Sequence, residues 1–294
     1  MSLMGIFDRL ADVSAFDPAI DSVRRVVRKA LGPEAVKNAL HGTWLGHPVH
    51  PVLAHVPVGT WVSAGLLDAV PPLRPAATFL IGTGVVAAVP TALAGAADWS
   101  EQEVGVRRLG AVHALANSAA LSLYVGSLIA RGKGRDGLGR LLAYGGLGLA
   151  GGSAAIGGHM SYAQSSGVSH ATTAARALTR DWMDLGPLDD FPEGRPTLRT
   201  GPGQGTEVPL AAVRRGTRVD VFVGACSHLA GPLQDGEVED VGGHACLVCP
   251  WHGSAFGLDD GAPRRGPAAS PQEKLEVRME AGHVMARLPE RHRE

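Results

Sequence analysis

"CSHLAGPLQDGEVEDVGGHACLVCPWHGSAF", residues 226–256, decides the reading of the C-terminal third of the chain. It holds all three cysteines and two turns of matching composition, Cys226-Ser-His228 and Cys249-Pro-Trp-His252. Each turn offers one thiolate and one imidazole. Three cysteines crowded into one stretch are not the spread framework of paired disulfides that staples a small secreted domain. A structural zinc module usually places C-x₂₋₄-C before H-x₃₋₅-H, whereas here each turn is mixed. Cys246 and His244 lie on the run "HACLVC", which reads as a strand entering the second turn, with Cys246 a small buried hydrophobe.

Outward from the two turns, short runs such as "EVPLAAV", "RVDVFVG", "KLEVRME" and "HVMARL" alternate or are β-branched, and Gly, Asp and Pro separate them. They predict a small antiparallel β domain over 196–294. A polar, proline-punctuated stretch at 164–195 is expected to link it to what precedes.

Two facing loops that each give sulfur and nitrogen can divide their ligands by element. Both thiolates then go to one iron and both imidazoles to the other, as in a [2Fe-2S] centre where His₂ replaces Cys₂ on one metal. The stretch "CSHLAGPL" followed by "CPWHGSAFGLDDGAPRRGPAASP" resembles the Rieske family, in its ferredoxin type, over about residues 196–290. That resemblance implies Cys226, His228, Cys249 and His252 as ligands of a [2Fe-2S] cluster. It also implies Ser254 as a hydroxyl that bonds a cluster sulfur and tunes the potential. The cytochrome bc type of the family adds a disulfide-forming Cys to each loop. Gly231 and Trp251 stand at those positions here, so the brace is absent. Leu229, Trp251 and Phe256 are expected to shield the centre from water.

The first half of the chain has a different texture. Residues 76–97, 109–130 and 141–158 carry no charged side chain, and 52–70 carries only Asp68. Each is long enough to cross a hydrocarbon core of about 30 Å as a helix. Four spans are expected, near 51–70, 76–97, 109–130 and 140–160, within a transmembrane domain at 47–163. Residues 1–46, with Arg24, Arg25, Arg28 and Lys29 near Val26 and Val27, read as an amphipathic segment lying on the membrane surface. Positive charge is nearly balanced between the two ends of this bundle, and the β domain is expected on the cytoplasmic side of the cell membrane. The fold class is therefore α+β in two domains, a four-helix transmembrane bundle followed by a small all-β Rieske-type domain.

The words "HPVHPVLAHVPVGTW", "AGAADW" and "HALAN" resemble an uncharacterised bacterial family of four-helix membrane domains, the DUF2231 type, members of which are sometimes fused to a Rieske module. Inside this region His47, His50, His55, His113 and His159 cluster toward one end, and ionisable groups at membrane depth point to function. A haem b or a quinone is a candidate ligand there, with His55 and His113 the first pair and His159 in reserve. The alternative is that these histidines cap helices and meet headgroups beside an aromatic belt of Trp44, Trp61, Trp99 and Tyr162. Taken together, the chain is expected to carry one electron at a time between a redox protein partner and a membrane quinone or haem protein. The alternative is an iron–sulfur component of a multi-subunit oxygenase or reductase. No feature points to nucleic acid.

Overall fold

The computed structural model describes residues 3–290. Residues 1–2, at the start of the expected surface segment, and 291–294, at the end of the expected β domain, lie outside the described residues. Two compact units emerge, one from the chain up to Pro33 and Val49–Ser166, the other from Glu34–Pro48 and the chain from Gly167 onward. The helices are α1 (Leu3–Asp12), α2 (Asp17–Ala30), α3 (Glu34–His41), α4 (His50–Asp68), α5 (Arg74–Ser100), α6 (Val104–Gly132), α7 (Asp136–Tyr162) and α8 (His170–Ala177). Of these α3 and α8 belong to the second unit.

In the helical unit, α4 and α5 form one hairpin and α6 and α7 another. Prolines 51 and 75 open α4 and α5, at positions where the missing N–H would be unsatisfied anyway. The interior is built from Trp61, Ala64, Ala77, Ile81, Tyr124 and Ala143. Trp61 is therefore not part of an interfacial belt: its ring stacks on Tyr124 with centroids 4.2 Å apart. Three stretches, Pro71–Ser100, Val104–Gly132 and Asp136–Tyr162, are long and apolar enough to cross a membrane. The first of the four expected spans does form a helix, α4, but is not among them. Its 19 residues include two histidines, Asp68 and two internal or leading prolines, which dilute its apolar character.

Asp68 and Arg131 explain how a charge sits inside this unit. The guanidinium of Arg131 grips both carboxylate oxygens of Asp68 and donates to Thr78 Oγ1 at 3.1 Å. Both side chains are almost fully buried. A desolvated pair of this kind holds only when geometry and extra hydrogen bonds repay the loss of water. Elsewhere α1 packs Phe7 against Leu109 and Ile156. Charge fastens α2: Asp17 meets Arg108 at 2.6 Å, Arg28 meets Glu101 at 2.9 Å, and Arg24 Nε donates to the Ser100 carbonyl. Val23 and Val26 are left exposed on α2.

The second unit contains β1 (Met183–Pro187), β2 (Pro196–Pro202), β3 (Glu207–Arg215), β4 (Arg218–Val223), β5 (Glu237–Val241), β6 (His244–Val248), β7 (Ala255–Gly257), β8 (Pro263–Arg265), β9 (Glu276–Glu280) and β10 (His283–Arg287). They form three antiparallel sheets, ordered β1-β10-β9, β2-β3-β4 and β5-β6-β7-β8. Alternation along β3 and β4 sends side chains to opposite faces. Leu210, Ala212, Val219 and Val221 enter a core with Met183, Leu185 and Val284. Ala211, Val213 and Phe222 enter a second core with Leu247, Phe256, Cys226 and Cys249.

Two expected boundaries shift. The stretch 164–195 is not an open linker, because it supplies α8 and β1, and β1 pairs with β10 from Met183 opposite Ala286. The segment 1–46 is not one piece, because α3 joins the β unit. Asn38 on α3 accepts from the Gly266 N–H at 2.8 Å and donates to the Arg264 carbonyl at 3.4 Å.

Candidate metal centre

The two quoted turns have the same backbone design. In the first, the Cys226 N–H donates to the Gly231 carbonyl and the Ala230 N–H returns to the Cys226 carbonyl, both at 2.9 Å. In the second, the Cys249 N–H donates to the Ser254 carbonyl at 2.8 Å and the Gly253 N–H returns to the Cys249 carbonyl at 3.0 Å. The fifth residue of each turn has positive φ, 57° at Ala230 and 72° at Gly253. Glycine adopts that region freely, whereas alanine pays a steric penalty of about 1–2 kcal/mol. Loop 1 therefore holds a local strain that its neighbours must sustain.

These matching loops bring the four expected residues together. Cys226 and Cys249 are buried, and their thiols share a hydrogen bond. That bond, from Cys226 to Cys249, lowers the Cys249 thiol to about 6. The same bond, together with burial, pushes Cys226 well up. The rings of His228 and His252 meet edge to face with centroids 5.0 Å apart. Burial, with smaller effects from His252, His41 and His170, drives His228 down to about 3, so its imidazole is neutral. Neutral imidazole and available thiolate are the forms that bind a metal.

Two observations fit this pocket to a group the polypeptide does not itself provide. The Nδ1 atom of His228 is buried without a hydrogen-bond partner, and such an atom costs about 1–3 kcal/mol if left so. A Cβ placed on Gly231 would lie 2.8 Å from Cys249 Sγ, so the loop needs glycine there to admit the sulfur.

Several supporting residues were not legible in the sequence. Gln272 is buried in the proline loop; its Oε1 accepts from the Ser227 N–H at 2.9 Å while Nε2 donates to the carbonyls of Val223 and Ala225. Arg265 donates to the Gly253 carbonyl at 2.9 Å and pairs with Glu239, bracing loop 2. His41 on α3 and His170 at the start of α8 lie close enough for their charge to reach His228. Only the Asp/Pro/Gly texture of the later loop hinted at any of them. Ser254 is fully buried and its Oγ accepts from the Ala268 N–H at 3.0 Å, which leaves its own proton to donate. Phe256 is buried as expected, but Trp251 is 55% exposed and does not seal the site. Cys246 is a buried free cysteine on β6.

Family models match both units. A model described as Rieske [2Fe-2S] domain matches residues 181–278, and one described as Predicted membrane protein (DUF2231) matches 46–173. The anthranilate 1,2-dioxygenase ferredoxin subunit of Burkholderia cepacia is 32% identical over 108 residues, 37% of this chain and 93% of that protein. The chain belongs to the Rieske [2Fe-2S] family. Its Rieske unit is also 30% identical over 108 residues to Ferredoxin CarAc of Metapseudomonas resinovorans, covering 36% of this chain and 94% of that one. A solved complex of reduced oxygenase and oxidized ferredoxin in carbazole 1,9a-dioxygenase is 27% identical, covers 37% of this chain and 94% of that chain, and has a TM-score of 0.32. The Rieske unit thus carries a [2Fe-2S] electron-transfer domain, and the helical unit is a predicted membrane domain.

His55, His113 and His159 of the helical unit each have a local partner. His55 is on the exposed side of α4 and its Nδ1 turns back to the Pro51 carbonyl of its own helix, 2.7 Å away. His159 is buried and its Nε2 meets Asp8 at 3.0 Å. His113 bonds the Ser153 carbonyl and Asn117. His47 falls outside this set, in the segment that groups with the Rieske unit.

Proposed function

We propose that the chain is a membrane-anchored one-electron carrier. In this reading Cys226 and Cys249 hold one iron of the cluster, and His228 and His252 hold the other. The observation that supports it is a pair of hydrogen-bonded thiols and a pair of contacting imidazoles on two matching loops, with His228 Nδ1 buried and unpartnered. A [2Fe-2S] centre with two imidazole ligands supplies one-electron chemistry at a higher potential than an all-thiolate cluster. The protein's part is position and environment. Gln272 and Arg265 fix the two loops, Phe256 excludes water from below, and the Ser254 hydroxyl donates toward sulfur. The partly exposed His252 ring beside Trp251 gives an electron its way out.

Four spans, α4 to α7, anchor the chain in the cell membrane, with the Rieske unit on the cytoplasmic side. Asp68 supports counting α4 as a span, because its charge is matched inside the bundle by Arg131. The named relatives are ferredoxins, one of them the ferredoxin subunit of a dioxygenase, which favours a redox protein as partner: an oxygenase or reductase component. A quinone or haem protein in the membrane is the partner that the anchor adds to this reading, and a haem b within the bundle belongs to it too. Electron paramagnetic resonance of dithionite-reduced, detergent-purified protein tests the ligand set. Wild type is expected to give a rhombic Rieske signal, and His252→Ala to lose it entirely while the helical unit melts unchanged. A His252→Ala protein that keeps both iron and signal sinks the ligand assignment.

A further inference from the structure

The two hairpins of the helical unit repeat one another. A single offset along the chain carries His50 to His113, Trp61 to Tyr124 and Asp68 to Arg131. An offset one residue shorter carries Gly84 to Gly146, Thr91 to Ser153 and Gly95 to Gly157. The correspondence extends to packing, since Ala77 and Gly139, Ile81 and Ala143, and Ala94 and Ile156 are buried at matching positions. Residues related by the first offset also meet each other. Trp61 stacks on Tyr124, and Asp68 is bonded to Arg131. Equivalent residues that meet place a pseudo-two-fold axis through the interior of the bundle, between α4 and α6.

His50 and His113 are the third pair on that axis, and each is built the same way. The Nδ1 of His50 lies 2.9 Å from the Thr91 carbonyl, and the Nδ1 of His113 lies 2.9 Å from the Ser153 carbonyl. A carbonyl only accepts, so in both rings Nδ1 carries the proton and Nε2 keeps its lone pair. One turn further along, a glycine makes room for each ring. A Cβ on Gly95 would stand 2.8 Å from the His50 ring, and one on Gly157 would stand 3.2 Å from His113 Cε1. The two imidazoles are close enough for charge on one to be felt at the other. The Asn117 amide now occupies the His113 lone pair, donating at 3.0 Å. Its equivalent in the first hairpin is Ala54, which offers the His50 ring no amide.

An Nδ1–H bonded to a carbonyl with Nε2 left over is how a metal-bound imidazole is usually oriented. Two donors suit one class of ligand best. A bare cation would lack most of its coordination sphere, since no third His, Cys, Asp or Glu joins them among the described residues. A group that brings four donors in its own plane needs just two more, one from each side. We infer that the helical unit is a duplicated hairpin that binds a metal porphyrin on its pseudo-two-fold axis, through Nε2 of His50 and Nε2 of His113. This rests on the reading of α4 to α7 as a membrane bundle, and it replaces His55 by His50 as the partner of His113.

The test uses the full chain, expressed with a porphyrin precursor, purified in detergent and also titrated with haemin. Wild type, His55→Ala and Asn117→Leu are expected to retain a low-spin chromophore in the pyridine haemochrome assay. His50→Ala and His113→Ala are each expected to lose at least about tenfold in bound porphyrin, removing one of two axial bonds. His50→Met, which can still ligate, is expected to keep the porphyrin with a changed spectrum and a raised potential, which a purely structural role would not produce. The Rieske signal of each variant reports, from the other unit, that the chain was made and folded. A wild-type protein with that signal but no affinity for haemin overturns this inference and leaves the cluster assignment standing. Porphyrin that survives both His50→Ala and His113→Ala, or that is lost equally in His55→Ala, overturns it as well.

Discussion

The helical unit and the Rieske unit treat buried polar groups in opposite ways. Asp68 and Arg131 are shut inside the first, yet each answers the other, and Thr78 adds a third partner. In the second, two thiols compete for one proton and the Nδ1 of His228 answers to nothing. Trp61 Nε1 and the Tyr124 hydroxyl are also unpartnered, but both belong to one aromatic stack in the interior of the bundle. The difference shows what separates a polar core from a site. Paired buried charges fix how elements meet, whereas unpaired donors of complementary chemistry that converge mark a space for something else.

That contrast can be attacked at both ends. The largest effect is expected at the ion pair. Asp68→Ala leaves Arg131 charged and buried, and should cost the helical unit about 3–5 kcal/mol. Denaturant unfolding followed by Trp61 fluorescence measures it, and the Rieske signal should not change. A loss below about 1 kcal/mol would mean that water or lipid headgroups reach Arg131. Next comes Gln272→Ala, which strips three hydrogen bonds from the backbone of loop 1 and its strand. About 1–3 kcal/mol of stability in the Rieske unit should go with it, since buried backbone groups are left unmet. Faster release of iron to a chelator is the companion readout.

Ser254→Ala sharpens the comparison without breaking the fold. With its hydroxyl gone, a hydrogen bond that favours the reduced, more negative cluster is lost, so the midpoint potential should fall at unchanged iron content. An unaltered potential in film voltammetry would remove Ser254 from any tuning role. The smallest effect is expected at Asp17, on the exposed edge of the helical unit. Its hydrogen bond from Arg108 holds the carboxyl below its ordinary value of 3.8. A lowered folded value means that the contact stabilises above the ordinary pKa and is lost as pH falls through the lowered one. Protease cleavage within α2 should therefore accelerate in acid below 3.8 for wild type, and the pH step should be missing in Asp17→Asn.

Much of the site was readable because it is local. Each ligand loop carries its Cys, its His and its turn residues within one short run, and the strands "EVPLAAV" and "RVDVFVG" emerge as β3 and β4. What sequence reading missed is long-range. Nothing near Asn38 shows that its side chain will cap Gly266, more than two hundred positions away. Arg131 follows directly on an apolar run, and its partnership with Asp68 needs two hairpins to be packed before it exists. The different placement of His50 and His55 on α4 was within reach. His50 shares a spacing of threes, fours and sevens with the buried Pro57, Trp61, Ala64 and Asp68 of α4, whereas His55 is out of phase with them.

In the proposed centre, sulfur and nitrogen are sorted onto different irons. Mössbauer spectroscopy of iron-57-labelled, reduced protein, alongside iron and acid-labile sulfide assays, probes that sorting directly. The prediction is about two irons and two sulfides per chain, with the ferrous site on the imidazole side and two clearly inequivalent iron environments. A single zinc without sulfide, or two irons in equivalent all-thiolate surroundings, would contradict it.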